Sequence, residues 1–306
     1  MDRVIVIVGP TASGKTALAV ELAKRIDGEV ISCDSMQIYR DMSIGTAKPS
    51  VEEMDGVPHY LIDFVSPDVR YSVADFKRDA EEKIRFVLDR GKVPILCGGT
   101  GLYVDSLVYG IDYPEIEFDQ GYRDELMAVA DSEDGLERLY EMAMKIDPDA
   151  VLKISRNDKK RITRVLELYR ATGKTKTELE RESRKNGVKY DYRIFAIDMD
   201  REKLYDRINK RVDLMIEQGL VDEVRDIVKK YDKFPTAMQG LGYKEVVEYF
   251  DKKLTMDEMI QKIKQETRRY AKRQLTWFRK NKSIVWIDGL DDREKNLEII
   301  INDFKS

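Results

Sequence analysis

Two rhythms of apolar and polar positions run along this chain, and the switches between them lay out the molecule. Residues 4–8 form an unbroken β-branched run, the pattern of a strand buried on both faces. From residue 16 to 26 the apolar positions recur at helical spacing. A second strand-like run at 29–34 ends in the polar cluster Asp34, Ser35, Met36 and Gln37. A short strand is expected at 59–63. Ser72 stands where a helix cap would, ahead of apolar positions at helical spacing over 73–90. Residues 93–97 read as another buried strand, which leads through Gly98, Gly99, Thr100 and Gly101 into a helix ending near residue 109. Further on, 192–198 resumes the strand pattern, and helices are expected at 201–219 and 220–230. After a loop at 235–242 and a short helix comes a long helix at 256–280. Its apolar residues Met256, Met259, Ile260, Ile263, Tyr270 and Trp277 stand close to a helix period and read as core. A last short strand is expected at 284–287.

Strands alternating with helices predict an α/β fold, an open parallel sheet with helices on both faces. Ligands in such sheets gather beyond the carboxyl ends of the strands. Gly9, Asp34 and Gly98 all fall there, which predicts one shared crevice. The stretch 111–120 has linker character. From 123 to about 187 only helical patterns occur, broken at Gly135, Pro148 and Gly173. The domain reading is therefore a core in two parts, 1–115 and 189–306, interrupted by an all-helical insertion at 116–188.

The turn after the first strand is Gly9-Pro10-Thr11-Ala12-Ser13-Gly14-Lys15-Thr16, with the spacing G-x-x-x-x-G-K-[ST] of a phosphate-binding loop. Its glycines let successive N–H groups face inward as an anion nest, and the helix that starts there adds its positive end. Lys15 supplies a full charge, and the Thr16 hydroxyl can ligate a magnesium ion held by phosphates. The pattern does not say which diphosphate is held. Most such loops hold a nucleoside triphosphate.

Composition narrows the partners. The 306 residues carry a net charge of −4, with 42% hydrophobic and 37% charged residues. Nothing in that balance attracts nucleic acid globally, so such a partner must be met by local patches. Cys33 and Cys97 are too few for a disulfide framework or a zinc site and read as small core residues in a reducing cytoplasm. One histidine, His59, leaves histidine-based acid–base chemistry without support, and it reads as structural. No apolar run approaches ~18 residues, so no membrane span is expected. The chain opens directly on a strand, which leaves no room for a signal peptide.

Two stretches run against the acidic average. Residues 153–176 include Lys153, Arg156, Lys159, Lys160, Arg161, Arg164, Arg170, Lys174 and Lys176 against only Asp158 and Glu167. Residues 262–282 include Lys262, Lys264, Arg268, Arg269, Lys272, Arg273, Arg279, Lys280 and Lys282 against only Glu266. Such runs are commonly solvated helix faces. Two of them, one in the insertion and one in the long helix, also suit the two sides of a groove for an RNA backbone.

In order, GPTASGKT (9–16), ISCDSMQIYRDMSIGTAKP (31–49), GGTGLY (98–103), NDKKRITRVLE (157–167) and AKRQLTWFR (271–279) resemble the bacterial tRNA dimethylallyltransferases across essentially the whole chain. A small departure is Val165, where that family commonly has Ala. The zinc finger of eukaryotic relatives is absent, in keeping with the cysteine count. The resemblance implies that the loop from Gly9 to Thr16 holds dimethylallyl diphosphate and that the allyl group moves to N6 of adenosine-37 in tRNAs reading codons that begin with U. It casts Asp34 as the general base and Lys15, the loop N–H groups and Mg2+ on Thr16 as stabilisers of the leaving diphosphate. Thr11 and Thr100 offer hydroxyls to the diphosphate or the adenine. Arg123 reaches into the same channel, and Arg225 is a further diphosphate ligand. It also implies that Asp34 to Gln37, Thr100, Arg123 and the patch Asp158, Lys159, Lys160, Arg161, Ile162 and Arg164 meet the tRNA anticodon stem-loop. A cytoplasmic monomer is expected.

Two other readings fit parts of the chain. A small-molecule or nucleotide kinase would place ATP in the loop and let Asp34 activate a hydroxyl. Against it, the strand at 93–97 ends in Gly98-Gly99-Thr100 and offers no carboxylate for magnesium at the usual place. A nucleotide-gated RNA-binding switch would leave the Asp34 constellation without a purpose.

Overall fold

The computed structural model describes residues 1–113, 119–183, 187–290 and 292–306. Its sheet has six strands, all parallel, in the order β3-β2-β4-β1-β5-β6. In chain order the first half runs β1 (Arg3–Val8), α1 (Lys15–Ile26), β2 (Gly28–Ser32), α2 (Val51–Met54), β3 (His59–Tyr60), α3 (Val73–Asp89), β4 (Val93–Gly98) and α4 (Gly101–Val108). The helical stretch follows with α5 (Gln120–Ala130), α6 (Gly135–Ile146), α7 (Pro148–Val151), α8 (Lys159–Thr172) and α9 (Lys176–Ser183). The sheet resumes with β5 (Asp191–Asp198), α10 (Arg201–Glu217), α11 (Leu220–Lys230), α12 (Tyr243–Phe250), α13 (Met256–Phe278), β6 (Val285–Asp288) and α14 (Arg293–Lys305). The predicted parallel α/β architecture is what forms. The short α2 and the closing α14 are additions to the expected elements.

The central position of β1 explains its composition. It pairs with β4 on one side and β5 on the other, and Val4 to Val8 are wholly buried. Ile5 and Ile7 pack with Leu18, Leu22, Phe195, Leu297 and Ile300, so α1 and α14 cover one face. On the other, α3 packs on β2 and β4, and its Phe76 stacks on Tyr103 with ring centroids 4.0 Å apart. Ser72 caps α3 reciprocally with Asp75, the capping box its position predicted. A second core joins the loop after β2 to α10–α13 through Ile38, Tyr39, Met42, Val212, Leu220, Tyr243, Met259 and Ile263. Half of the apolar stripe on α13 is thus core, as expected. Of the rest, Tyr270 turns to the site described below, while Trp277 donates to Asp105 (2.9 Å) and Met256 is exposed.

The chain separates into two compact units, 1–107 with 189–306, and 108–188. The expected junction at 115/116 lies outside the described residues. The second unit is helical, built on Leu126, Leu139, Tyr140, Val151, Ile162, Val165 and Leu166. Its helices break at Gly135, Pro148 and Gly173, the positions the pattern marked. Among the described residues no helix is long and apolar enough to cross a membrane.

Candidate active site

The loop between β1 and α1 turns through Gly9, Ala12 and Gly14, all at positive φ (151°, 63° and 92°). Leu18 N–H reaches the Gly14 carbonyl (3.2 Å), so α1 starts at the loop and points its N–H groups into it. Ser13 is buried, and its Oγ has no hydrogen-bond partner among the described residues. Thr16, in the first turn of α1, has none either. The Lys15 ammonium folds back to donate to the Pro10 carbonyl (2.7 Å). Loss of water lowers its pKa to about 8, with the Arg211 charge pushing the same way and Asp34 opposing. A tight turn, a helix start and a lysine ammonium thus meet at one place.

Beyond the carboxyl end of β2, Asp34 spends one oxygen on the turn. Its Oδ1 accepts from the N–H groups of Met36 (2.8 Å) and Gln37 (3.3 Å). That is an Asx turn, which fixes the carboxylate without using Oδ2. Beyond β4, the Thr100 side chain does not cap α4. Its Oγ1 accepts from the Ser35 N–H (3.0 Å) and reaches Ser35 Oγ (3.3 Å). The ends of β2 and β4 are thereby locked together at Asp34.

A cavity of about 330 Å³ opens here, lined by Thr11, Asp34, Arg211, Tyr270 and Arg273 among others. Arg211 on α10 donates to Thr11 Oγ1 (3.4 Å) and the Ala47 carbonyl (3.5 Å). Burial lowers the Arg211 pKa while the negative charge of Asp34 counteracts it. Burial, then Asp34, pushes the Tyr270 phenol up to about 12. A larger hollow of about 650 Å³ lies off the ends of β5 and β6. Its lining includes Asp198, Asp200 and Asp288 but no residue of the loop 9–16, which the smaller cavity meets at Thr11.

Sequence reasoning missed Arg211 and Gln274. Arg211 stands in a run of cations, and only the packing of Ile208 and Val212 into the core turns it inward. Gln274 lies in the stretch 271–279 already singled out; its signal was a polar residue on the buried face of α13. The glutamine is 5% exposed. It accepts from the Thr11 N–H (2.9 Å) and donates to the Gly99 carbonyl (2.9 Å).

Arg225 is not among the residues lining the cavity. It is half-exposed on α11, paired with Asp222 and set over the Phe250 ring. In the helical unit, Asp158 caps α8 by accepting from the Arg161 N–H (3.1 Å). Lys159 pairs with Asp131 (2.7 Å) and Arg161 with Asp158 (3.3 Å). Arg164 and Arg123 both face the buried Glu167, at 3.1 and 3.6 Å. Ile162 is fully buried in that unit's core, so its side chain supports the patch from beneath and does not belong to the contact surface. Of the second basic run, Lys262 pairs with Glu248, Lys264 with Asp213 and Arg269 with Glu266. His59 bonds the Val57 carbonyl through Nδ1 (2.8 Å), and both cysteines are free and buried, consistent with structural roles.

Several known proteins resemble this chain over most of its length. The IPP transferase family model matches residues 37–281. A tRNA dimethylallyltransferase of Acetivibrio thermocellus is 52% identical over 298 residues, 96% of this chain and 95% of that protein. One from Carboxydothermus hydrogenoformans is 48% identical over 99% of this chain and 97% of its own length. The crystal structure of a full-length tRNA isopentenylpyrophosphate transferase from Bacillus halodurans matches with a TM-score of 0.75 at 43% identity, covering 100% of this chain and 96% of that one. A eukaryotic dimethylallyltransferase, solved acting on tRNA, matches with a TM-score of 0.81 at 31% identity, covering 100% of this chain and 80% of that one.

Proposed function

The chain belongs to the IPP transferase family, and we propose that it moves the dimethylallyl group of dimethylallyl diphosphate onto N6 of adenosine-37, beside the anticodon, in tRNAs reading codons that begin with U. Membership makes it a prenyltransferase that modifies tRNA. One observation carries the finer reading. A single cavity joins Thr11 of the phosphate loop, the Asp34 carboxylate with its uncommitted oxygen, and the cations Arg211 and Arg273.

The chemistry follows from what each group can do. The adenine N6 lone pair is delocalised into the ring, which makes the amine a poor nucleophile. As the N6–C1 bond forms and the C1–O bond breaks, the electron pair of the broken bond leaves with the diphosphate and the N6 proton needs an acceptor. Asp34, anchored through Oδ1, offers Oδ2. Lys15, the N–H groups at the start of α1 and Arg211 stabilise the charge that builds on the departing oxygens. Arg211 takes the place expected of Arg225. Thr16 offers one protein oxygen with no competing bond, which fits Mg2+, an ion that takes its remaining ligands from phosphate and water. Once bound, that ion supplies further neutralisation of the leaving group.

The acceptor base must leave its stack to reach Asp34. Ser35, Met36, Gln37 and Thr100 flank the carboxylate and are the proposed contacts to the extruded nucleotide. Asp158, Lys159, Lys160, Arg161 and Arg164 at the start of α8, together with Arg123, are the proposed contacts to the anticodon stem-loop. The test is incubation with labelled dimethylallyl diphosphate and unmodified tRNA, with labelled ATP in a parallel reaction. Label from the allyl donor on the tRNA supports this function. Phosphate transfer from ATP, or binding without transfer, contradicts it.

A further inference from the structure

We infer that Gln274 is a positioning residue that couples the donor loop to the acceptor side of the site, an inference that rests on the prenyl-transfer reading above. A buried amide needs partners for both its ends. Gln274 Oε1 accepts from the Thr11 N–H and Nε2 donates to the Gly99 carbonyl, each at 2.9 Å. Those partners belong to different loops, one after β1 and one after β4. An uncharged amide is the side chain that satisfies an N–H and a carbonyl at once. A carboxylate there would face the Gly99 oxygen without a proton.

From Gly99 the connection continues. Thr100 is the next residue, and its Oγ1 holds the Ser35 N–H beside Asp34. One turn back on α13, Tyr270 lines the same cavity as Thr11 and Asp34. A single stiff helix therefore grips the loop that carries the diphosphate and the loop that aims the base. Thr11 N–H is committed to Gln274, so the phosphate loop gives up one of its own donors to make this tie. A shift of the loop on donor binding is transmitted through Gln274 to the setting of Ser35 and Asp34. Coupling of this kind is reciprocal: bound donor tightens tRNA binding, and bound tRNA tightens donor binding by the same factor.

Gln274→Met keeps the volume and removes both bonds. Gly99→Ala perturbs the same contact from the other side, because its Cβ would lie 2.1 Å from Gln274 Nε2. For the parent and both variants, tRNA affinity is measured with and without an unreactive thiolodiphosphate analogue of the donor, along with single-turnover transfer and thermal melting. In the parent the analogue tightens tRNA binding by roughly 5- to 150-fold, the usual span of such coupling. In the variants that factor falls to about one and single-turnover transfer falls about tenfold or more, the effect of one to two lost hydrogen bonds. Each ligand's affinity measured alone stays within about threefold, less than one such bond is worth. Unchanged coupling in the variants overturns the inference, as does a rate loss that follows lowered melting alone. A parent that transfers allyl groups but shows no coupling also overturns it and leaves the prenyl-transfer reading standing. A parent with no transfer removes that reading first.

Discussion

Replacing Arg211 with methionine tests the electrostatics of the donor loop most sharply, because it moves two observables at once. Arg211 reaches Thr11 Oγ1 and the Ala47 carbonyl, and its charge is one cause of the lowered Lys15 pKa. A hydrogen bond to a charged group contributes about 1.5–3 kcal/mol. Loss of one such bond to the diphosphate raises the donor Kd roughly ten- to hundredfold. The second effect has the opposite feel. Lys15 in the parent has its pKa pulled down to about 8, so its charge is present below that pH and lost above it. Binding of an anion that needs the ammonium therefore weakens as pH rises through about 8, approaching tenfold per unit. In Arg211→Met a neighbouring positive charge is gone, the Lys15 pKa rises, and the alkaline fall in affinity begins at higher pH. Titration of an unreactive donor analogue by calorimetry from pH 7 to 9.5 reads both. Weaker binding with an unmoved alkaline limb would show that the limb does not belong to Lys15. Unweakened binding would remove Arg211 from the diphosphate site.

Other consequences can be checked in parallel. Asp34→Asn keeps an acceptor for the Met36 and Gln37 N–H groups but cannot take a proton, so single-turnover transfer should fall about 10²-fold or more while tRNA affinity holds; near-normal transfer would take the base role from Asp34. Arg161→Ala changes a largely exposed side chain, so melting should stay put while tRNA affinity drops and its logarithmic salt slope flattens by about one unit; an unchanged slope would mean that Arg161 faces solvent in the complex. Gly98→Ala would set a Cβ 2.4 Å from the Cys33 backbone where β2 and β4 pair, and a melting point lowered by several degrees is expected from overpacking of about 1–3 kcal/mol. An unchanged melting point would show that the strand ends part easily.

The parts of the molecule that the sequence revealed are those where local chemistry repeats a rule. A β-branched run at 4–8 has to be an inner parallel strand, and the glycines after it have to make the tight turn into α1. The cap at Ser72 and the helix breaks at Gly135, Pro148 and Gly173 were legible for the same reason. What stayed hidden depends on which way a polar side chain turns once helices pack. In the run Lys210-Arg211, one cation faces solvent and pairs with Asp206 while its neighbour enters the cavity, and no spacing distinguishes them. Arg225 was the arginine the sequence pointed to, and Arg211 comes into view only once α10 is packed against the cavity. Ile162 sat inside a basic patch by sequence yet faces the core by helical phase. Gln274 was visible only as part of a motif, because its worth lies in two loops that are distant in the chain.

The central claim is that a carboxylate beside a phosphate loop takes the proton of an extruded purine amine as the allyl group arrives. The most direct measurement is a crystal structure with an unreactive dimethylallyl thiolodiphosphate and an anticodon stem-loop both bound. The account predicts the diphosphate on Gly9 to Thr16 and adenine N6 within about 2.6–3.2 Å of the Asp34 carboxylate. An adenine that presents N6 to another group, or a diphosphate seated away from that loop, would contradict it.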